Sequence, residues 1–283
     1  MITEKAYAKV NLFINVQDLR KDGYHNLEMV NVKINLFDTI KLEEIDSEGL
    51  VLVKSNDLFL SNQNNIVFDT AAYMMHQYVG EKGIVIEIDK NIPFGAGLAG
   101  NSADAASIIK GINRLFDLNL SNEEMSEIGI RFGADVPYCL NDGPAIVEGV
   151  GELVTKIDLD LSSKQLFLLN PRIYIQTKDI FTLGDRVGFD TVDSKGIRQA
   201  IQKKDINSFI SNMHNSLQQI SLDANKDVQL AYDNMVSMCG TTGLIMTGSG
   251  STLVKIIEKG DLKVNEFMKK FHDKYFMNIY NFL

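Results

Sequence analysis

Three glycines stand close together in a stretch whose spacing is typical of a phosphate-binding loop. Gly95, Gly97 and Gly100 form a Gly-x-Gly-x-x-Gly pattern directly ahead of a segment with helical apolar spacing. Glycines let backbone N–H groups approach an anion closely, and the start of a helix adds unpaired N–H donors and about half a positive charge. The pattern therefore predicts a site for a phosphate group, but the same three glycines occur in several unrelated folds.

The residues around the glycines exclude three common phosphate-binding motifs. In a dinucleotide-binding fold the first glycine ends a strand directly, and an acidic residue closes a second strand about 20 residues later. Here Asn-Ile-Pro-Phe separates the preceding strand from Gly95, and the segment at the corresponding distance is polar and helical. The stretch also lacks the Gly-Lys-Ser/Thr ending of a P-loop and the valine that follows the glycine loop of protein kinases.

Small residues continue from Gly95 to Ala106, and we predict a helix that begins near Ser102. Its apolar face consists of Ala105, Ile108, Ile109, Ile112 and Phe116. Two interpretations of the small residues remain open. They either let the backbone wrap a polyphosphate, or they merely permit tight packing of a helix on a sheet.

Alternating strands and helices would position this loop. Patterns rich in β-branched residues predict strands over 8–16, 30–45 and 83–90. Helical spacing predicts a helix over 65–79, and Ser121 with Glu124 three residues later predicts a capping box at the start of another helix.

Beyond residue 160 the pattern of strand and helix begins again. The predicted elements are an apolar segment over 164–171, helices over 195–219 and 223–238, and a closing amphipathic helix. We therefore predict an α+β protein of two domains, spanning residues 1–158 and 159–283.

The composition narrows the class of protein. The chain has 283 residues, 45% of them hydrophobic, so it can bury a sizeable core. Its 28 basic and 37 acidic residues give a net charge of -9, which argues against a general affinity for nucleic acid. The N-terminus has no leader-like pattern and no apolar run approaches the roughly 20 residues of a membrane span, so we expect a cytoplasmic protein that does not enter a membrane. Cys139 and Cys239 lie far apart and are predicted to be core thiols rather than disulfide partners or metal ligands.

Several further segments accompany the glycine loop. They read "AKVNLFINV", "DGYHNLE", "PFGAGLAGNSADAA", "GADVPYCL", "AIVEGVGE" and "TGSGST". Together they resemble the GHMP kinases (galactose, homoserine, mevalonate and phosphomevalonate kinases), whose glycine loop matches Pro93 to Ala103, and the resemblance runs through nearly the whole chain. It implies a ribosomal protein S5-like N-terminal domain, a ferredoxin-like C-terminal domain and an active-site cleft between them.

The resemblance also implies the chemistry, which is transfer of the γ-phosphoryl group of ATP to a hydroxyl. Asp135 would take or orient the hydroxyl proton, with Lys9 beside it. A cation next to a carboxylate keeps the carboxylate ionised and stabilises the charge that develops on the acceptor oxygen. Without the resemblance, Asp135 would be interpreted as an aspartate that caps its own turn, and Lys9 as a solvated strand lysine.

The Lys-x-Asn and Asp-Gly-Tyr-His segments are most similar to one branch of the family. Its acceptor is a cytidine diphosphate-linked methylerythritol of non-mevalonate isoprenoid synthesis. By this resemblance Tyr24 and His25 contact the cytidine, and Phe181 closes the other face of the base. Asn11 holds the diol or phosphate region. Alternatively, Tyr24 and His25 are surface residues of a loop and Phe181 is a core residue. The alternative functions are a kinase for a non-nucleotide alcohol such as mevalonate or homoserine, and a catalytically silent ATP-binding protein.

The same resemblance assigns ATP to the glycine loop. The residues that would bind it are Pro93, Gly95, Ala96, Gly97, Leu98, Ala99, Gly100, Asn101, Ser102 and Asp104. Ser102 would offer a hydroxyl to a phosphate or to Mg²⁺, and Asp104 would cap the helix or help the metal. Mg²⁺ is implied because the charge of the triphosphate must be neutralised. Gly248 and Ser249 match a second glycine segment near the reacting hydroxyl, or else form an ordinary turn between strands.

Two segments depart from the family pattern. Asn101 stands where glycine is common, so the loop must adopt there a conformation that asparagine tolerates, such as the left-handed one. "HNSLQ" at 214–218 resembles an Asn-Asp-Leu/Cys-Glu segment in which both acids are lost.

The acidic surface is compatible with a monomer or a weak homodimer.

Overall fold

Two sheets with helices packed on them build the structure, a computed structural model that describes residues 1–56 and 65–283. The strands are β1 (Ile2–Leu19), β2 (His25–Ile45), β3 (Val51–Ser55), β4 (Gly83–Asp89), β5 (Ala145–Gly149), β6 (Leu153–Lys156), β7 (Lys164–Asn170), β8 (His214–Asn215), β9 (Leu244–Met246), β10 (Leu253–Glu258) and β11 (Phe276–Tyr280). The helices are α1 (Ile66–Met74), α2 (Gly100–Leu115), α3 (Asn122–Gly129), α4 (Val136–Leu140), α5 (Thr177–Val187), α6 (Lys195–Gln202), α7 (Ile206–Ser211), α8 (Gln218–Ala224), α9 (Lys226–Cys239) and α10 (Leu262–Phe271), with a π-helical turn at Met75–Val79 after α1.

The first sheet is organised around the long antiparallel pair of β1 and β2. On its other edge, β2 pairs with β5 through its first half and with β4 through its second half, and β3 runs parallel to β4. β5 in turn pairs with β6. The apolar segments predicted over 8–16 and 30–45 thus lie in the two central strands.

Two of the three register shifts between β1 and β2 flank Lys9 and Asn11 and orient them. The β1–β2 register shifts between Tyr7 and Lys9, and again between Asn11 and Phe13. A bulge adds a residue to one strand and re-aims the side chains that follow, and bulges are common beside active sites. Lys9 and Asn11 therefore lie on the face of the sheet that carries α2 and α4, whereas Val10 packs against the second half of the chain.

The second sheet is antiparallel and has the strand order β11-β7-β10-β9. In chain order, β7 is followed by helices, then by the adjacent strands β9 and β10, then by α10 and β11. This β-α-β-β-α-β arrangement is the ferredoxin-like one. The predicted α+β class and the two-part fold are thus confirmed.

α2 follows the glycine loop directly and is fixed by its apolar face. Ile108, Ile109 and Ile112 are fully buried in the core between the first sheet and the helices. Burial of each such side chain contributes about 1.5–3 kcal/mol. The predicted apolar face is confirmed, as is the capping box of Ser121 and Glu124 at the start of α3.

The predicted helix over 195–219 is wrong, because α6, α7, β8 and the start of α8 occupy that range. Lys204 has a φ of 54°, which ends the helical conformation. Asp205 then starts a new helix, since its side chain accepts a hydrogen bond from the Ser208 N–H. The break has a signal in the sequence, because Ile201 and Ile206 are five residues apart and so interrupt the helical spacing of three or four.

Segments of the second half also join the first sheet. β8 pairs in parallel with β1, through Phe13 with His214 and Ile14 with Asn215. The domain boundary at residues 158 and 159, which stays a prediction, falls in the link between β6 and β7. Within residues 1–56 and 65–283, no helix combines the length and the apolarity needed to cross a membrane.

Both cysteines are free and buried. Burial raises the pKa of the Cys139 thiol to about 12. Burial also raises the pKa of the Cys239 thiol. Since the thiolate is the reactive form, both side chains act as small apolar groups of the core, as predicted.

Candidate active site

A cavity of about 830 Å³ lies between the two halves of the chain. Its walls come from β1, the turn before β2, the glycine loop, the start of α2, Asp135, α5 and the turn after β9. Every predicted site residue except Asp104 lines this cavity. The fold therefore brings together residues that are far apart in the sequence.

Lys9 and Asp135 form an ion pair at the wall of the cavity. Lys9 Nζ lies 3.2 Å from Asp135 Oδ1. The Lys9 side chain is 5% exposed and that of Asp135 is 33% exposed. The carboxylate is thus accessible to a ligand while its buried partner supplies the positive charge. Asp135 stands directly before α4, a five-residue helix where the sequence suggested a turn.

Asn11 and Thr247 connect β1 with both glycine segments. Asn11 Oδ1 accepts a hydrogen bond of 2.9 Å from Lys9 Nζ. The backbone N–H of Asn11 donates to Thr247 Oγ1 at 2.9 Å. That hydroxyl oxygen also lies 3.3 Å from the carbonyl oxygen of Gly97. Asn11 is thereby fixed and holds the ammonium group of Lys9 beside Asp135.

The glycine loop ends in a left-handed residue directly before α2. Ala99 is the N-cap of α2, with a φ of 54°, and α2 begins at Gly100. Asn101 lies in the first turn of α2, a conformation that asparagine tolerates, and the left-handed residue is Ala99 instead. The sharp change of direction occurs before the helix, where the chain leaves the loop. The predicted helix start near Ser102 is two residues late.

The two glycine segments contact each other through their backbones. A Cβ atom built on Gly97 would lie 2.4 Å from the carbonyl oxygen of Thr247, and one on Gly248 would lie 3.2 Å from the Cα of Gly97. Side chains at these positions would force the segments apart. Glycine is required here by the close approach of two backbone segments as well as by the positive φ.

The "HNSLQ" segment holds the second glycine turn through amide groups. Asn215 Nδ2 donates to the carbonyl oxygens of Met246 at 2.7 Å and Gly248 at 2.9 Å. Gln218 Oε1 accepts a hydrogen bond of 2.8 Å from the Met246 N–H. An amide oxygen thus accepts the bond here, at a position where the family pattern has an acid.

Asp104 lies beneath the cavity in a cluster of three charged side chains. Lys90 Nζ lies 2.6 Å from Asp104 Oδ2 and 2.5 Å from Asp38 Oδ2. The N-cap role predicted for Asp104 is wrong, because Ala99 occupies that position without a side-chain cap. Asp104 is fully buried, and its carboxyl group pairs with the ammonium group of Lys90 instead.

One ammonium group shared by two buried carboxylates leaves one negative charge in excess. Burial opposes the charge of Lys90, but Asp104 and Asp38 together raise the pKa of its ammonium group. Burial raises the pKa of the Asp104 carboxyl to about 7, although Lys90 opposes this shift. The Asp104 carboxyl therefore retains a proton in the folded protein at mildly acidic pH.

This retained proton predicts a pH dependence of stability. The folded state keeps the Asp104 proton up to about pH 7, whereas the unfolded chain releases it near the ordinary value of 3.8. The free energy of unfolding should therefore fall as the pH rises from 5 to 8, by on the order of 2 kcal/mol from this group. Urea unfolding of the wild type and of Asp104→Asn at both pH values measures the contribution. The variant should lose less stability than the wild type, and parallel pH profiles would contradict the assignment.

An aromatic cluster surrounds His25 at another part of the cavity. The His25 ring stacks on Phe181 with a centroid distance of 5.8 Å and meets Phe189 edge-on at 4.9 Å. Its Nε2 lies 2.7 Å from Asp185 Oδ1, and its Nδ1 lies 3.3 Å from the carbonyl oxygen of Gln17. A base that hydrogen-bonds to a ring nitrogen would have to displace one of these acceptors. Tyr24, which directly precedes His25, lines the same cavity and is 66% exposed.

Sequence analysis missed several cavity residues, and three of them carry polar groups with defined chemistry. Lys90, Tyr174 and Asp185 all line the cavity. Tyr174 stacks on Phe94 of the glycine loop, with ring centroids 5.9 Å apart and planes at 10°. A lysine directly between a buried strand and the glycine loop was a usable signal for Lys90. Tyr174 and Asp185 carry no local signal, because their role depends on how the two halves pack.

Curated relatives resemble the chain over nearly its whole length. Residues 65–143 match the family described as GHMP kinases N terminal domain. The 4-diphosphocytidyl-2-C-methyl-D-erythritol kinase of Clostridium beijerinckii is 34% identical to this chain over 276 residues, covering 95% of this chain and 96% of the relative. The kinase of the same name from Bacillus subtilis is 35% identical and covers 91% of this chain and 88% of its own.

Solved structures share the fold at lower identity. A crystal structure of 4-(cytidine 5'-diphospho)-2C-methyl-D-erythritol kinase has a TM-score of 0.78 at 22% identity and covers 99% of both chains. A crystal structure of mevalonate kinase has a TM-score of 0.75 at 14% identity and covers 100% of this chain and 99% of its own. The fold is thus that of the GHMP kinases, and identity of about one third with the curated relatives narrows the assignment further. The chain belongs to the 4-diphosphocytidyl-2-C-methyl-D-erythritol kinase family of the GHMP kinases.

Proposed function

We propose that this chain transfers the γ-phosphoryl group of ATP to the 2-hydroxyl of 4-diphosphocytidyl-2-C-methyl-D-erythritol. One observation carries the proposal: the Lys9–Asp135 pair, the glycine loop and the aromatic cluster around His25 line a single cavity. Family membership supports the same reaction, which belongs to the non-mevalonate route to isoprenoids. A volume of about 830 Å³ is within the range of pockets that bury whole ligands.

Asp135 and Lys9 would act on the acceptor hydroxyl. The Asp135 carboxylate accepts the hydroxyl proton as the oxygen attacks the γ-phosphorus. The bond from that phosphorus to the β,γ-bridging oxygen breaks, and ADP leaves. Lys9, 3.2 Å from the carboxylate, stabilises the negative charge on the attacking oxygen. The chain supplies mainly position and charge, which is what phosphoryl transfer requires.

The glycine loop and the first turn of α2 would hold the phosphates of ATP. The unpaired N–H groups at the start of this 16-residue helix favour an anion despite the acidic composition. Gly95, Gly97 and Gly100 keep the loop free of side chains, so the backbone can approach the phosphate oxygens. The hydroxyl of Ser102 lines the same cavity.

We propose Mg²⁺ as the companion of ATP. The ion neutralises the charge of the triphosphate when it is bound. In the described part of the chain, no group of three or more His, Cys, Asp or Glu side chains is arranged to hold a metal ion by itself. The phosphates would therefore supply most ligands, and the Ser102 hydroxyl, which belongs to a residue lining the cavity at the start of α2, would assist. Asp104 does not fit this role, because its carboxylate is buried against Lys90.

The location and the assembly of the enzyme are also proposals. We propose a cytoplasmic enzyme that is a monomer or a weak homodimer and binds neither nucleic acid nor membranes. The net charge of -9 supports weak interaction with polyanions.

A panel of acceptors tests the proposed reaction. ADP release should occur with 4-diphosphocytidyl-2-C-methyl-D-erythritol and stay at background with mevalonate, homoserine and galactose. Turnover with one of the other alcohols instead would contradict the proposed acceptor. ATP binding without turnover on any acceptor would identify a catalytically silent homologue, although the retained Lys9–Asp135 pair argues against that outcome.

A further inference from the structure

Two lysines of the first sheet reach the opposite ends of α4. Lys9 on β1 and Lys33 on β2 are directly opposed in the antiparallel register. Lys9 pairs with Asp135, which precedes the first residue of α4. Lys33 Nζ donates to the carbonyl oxygen of Cys139 at 2.9 Å and to that of Asn141, both at the other end of the helix. The sheet thus fixes α4 at its start and at its end.

Lys33 is itself firmly held and lies outside the cavity wall. The residue is 5% exposed. Within residues 1–56 and 65–283, the one carboxylate within 4 Å of its ammonium group is that of Asp142, 3.7 Å away and 88% exposed. The two carbonyl groups are therefore its principal partners. Cations at the C-terminal end of a helix interact favourably with the unpaired carbonyls there.

α4 depends on such anchors because it is very short. A helix of five residues is unstable on its own, since it gains few internal hydrogen bonds for the backbone entropy it loses. All five of its residues are buried, so its position must come from its contacts with α2, α3 and the sheet. Apolar packing holds its side chains, and the two lysines add directional bonds at its two ends. Any shift of α4 moves Asp135, and a displacement of about 1 Å at a reacting group can cost about 100-fold in rate.

We propose that Lys33 is a positioning residue, which anchors the end of α4 so that Asp135 is aimed at the acceptor hydroxyl. This role rests on the proposed function of Asp135. Lys33 itself touches neither the cavity nor the reacting atoms.

Lys255 on β10 provides a matched control within the same chain. It is also 5% exposed, and its Nζ donates to the carbonyl oxygen of Gly240 at 3.1 Å and to that of Thr242, just after α9. Burial lowers the pKa of both ammonium groups. Lys255 does not line the cavity. The Lys255→Met variant therefore measures the loss of stability that follows when a buried lysine no longer donates to the carbonyl groups after a helix.

The experiment compares Lys33→Met with Lys255→Met in the full chain. Steady-state kinetics should show kcat of Lys33→Met reduced by between about tenfold and 100-fold, with KM for ATP and acceptor changed less than about threefold. Lys255→Met should retain the wild-type kcat even if its melting temperature falls by a similar amount. Lys33→Gln, whose amide can still donate to one carbonyl, should fall between the wild type and Lys33→Met.

Hydrogen exchange provides a readout that needs no turnover. Peptides covering 136–141 should exchange faster in Lys33→Met and Lys33→Gln, but not in Lys255→Met. Unchanged exchange there would overturn the proposal, whatever the acceptor proves to be. Faster exchange with an unchanged kcat would also overturn it, because Lys33 would then be structural only. If the wild type fails to phosphorylate the cytidine substrate, the proposed function fails, and the exchange data still decide whether Lys33 anchors α4.

Discussion

Replacing Asp135 with asparagine is expected to lower kcat by about 100-fold to 10,000-fold, the range that a positioned acid or base contributes. Asparagine keeps the shape of the side chain but cannot accept the hydroxyl proton, and it leaves the charge of Lys9 unpaired beside the acceptor. The affinity for ATP should change little, because the glycine loop and the start of α2 remain intact. Stopped-flow or steady-state ADP release measures kcat, and calorimetry measures ATP binding.

Asp142→Asn is the control for this substitution. Asp142 lies beyond the other end of α4 and does not line the main cavity. The Asp142→Asn substitution removes one negative charge from the same region without touching the cavity. The kcat of this variant should therefore stay within about twofold of the wild type. An Asp135→Asn enzyme with near-normal turnover would remove Asp135 from the mechanism.

Gly97→Ala is expected to reduce kcat/KM for ATP by at least about 100-fold, because a displacement of about 1 Å at a binding segment can have that effect. A Cβ atom at this position would lie 2.4 Å from the carbonyl oxygen of Thr247 and 3.0 Å from that of Gly250. Both contacts are with backbone, so the two glycine segments must separate. The hydrogen bonds of Thr247 to Gly97 and Asn11 would then weaken, and with them the placement of Lys9.

Gly240→Ala separates this crowding from the cost of the backbone conformation. Gly240 has a φ of 76°, close to the 74° of Gly97, but a Cβ there would meet no atom within 4 Å. Both variants should lose about 1–3 kcal/mol of stability from the positive φ, and Gly240, with a ψ of 170°, lies in a region that is essentially restricted to glycine. Only Gly97→Ala should lose catalytic efficiency. Equal activities in the two variants would show that the contact between the glycine segments is dispensable.

Local patterns in the sequence predicted local structure well. The three-residue spacing of Ser121 and Glu124 specifies a capping box, because each side chain reaches the backbone of the other. The alternation over 83–90 specifies a half-buried strand, and β4 occupies it. In the capping box the interacting atoms are neighbours in the chain, whereas in β4 the alternation records which side chains face the core. In both cases a few consecutive residues carry the whole signal.

The site depended on contacts that no local pattern encodes. Lys9 and Asp135 meet because the first sheet and α4 pack together, and only the family resemblance predicted it. Asp104 was misassigned because its partner Lys90 is brought to it by the packing of α2 on the sheet. The left-handed residue is Ala99 rather than Asn101, since the geometry of the loop, not residue preference, selects the position.

β8 has a consequence for anyone who cuts or rearranges this polypeptide. Its two residues come from the second half of the sequence, yet they cover the edge of β1, and Asn215 also holds the turn at Gly248. A fragment ending near residue 158 would expose that edge of β1, and an uncovered strand edge invites pairing with other chains and aggregation. The two halves are therefore poor candidates for independent expression or domain exchange, whereas a circular permutant keeps β1 and β8 in one polypeptide and so keeps this edge covered.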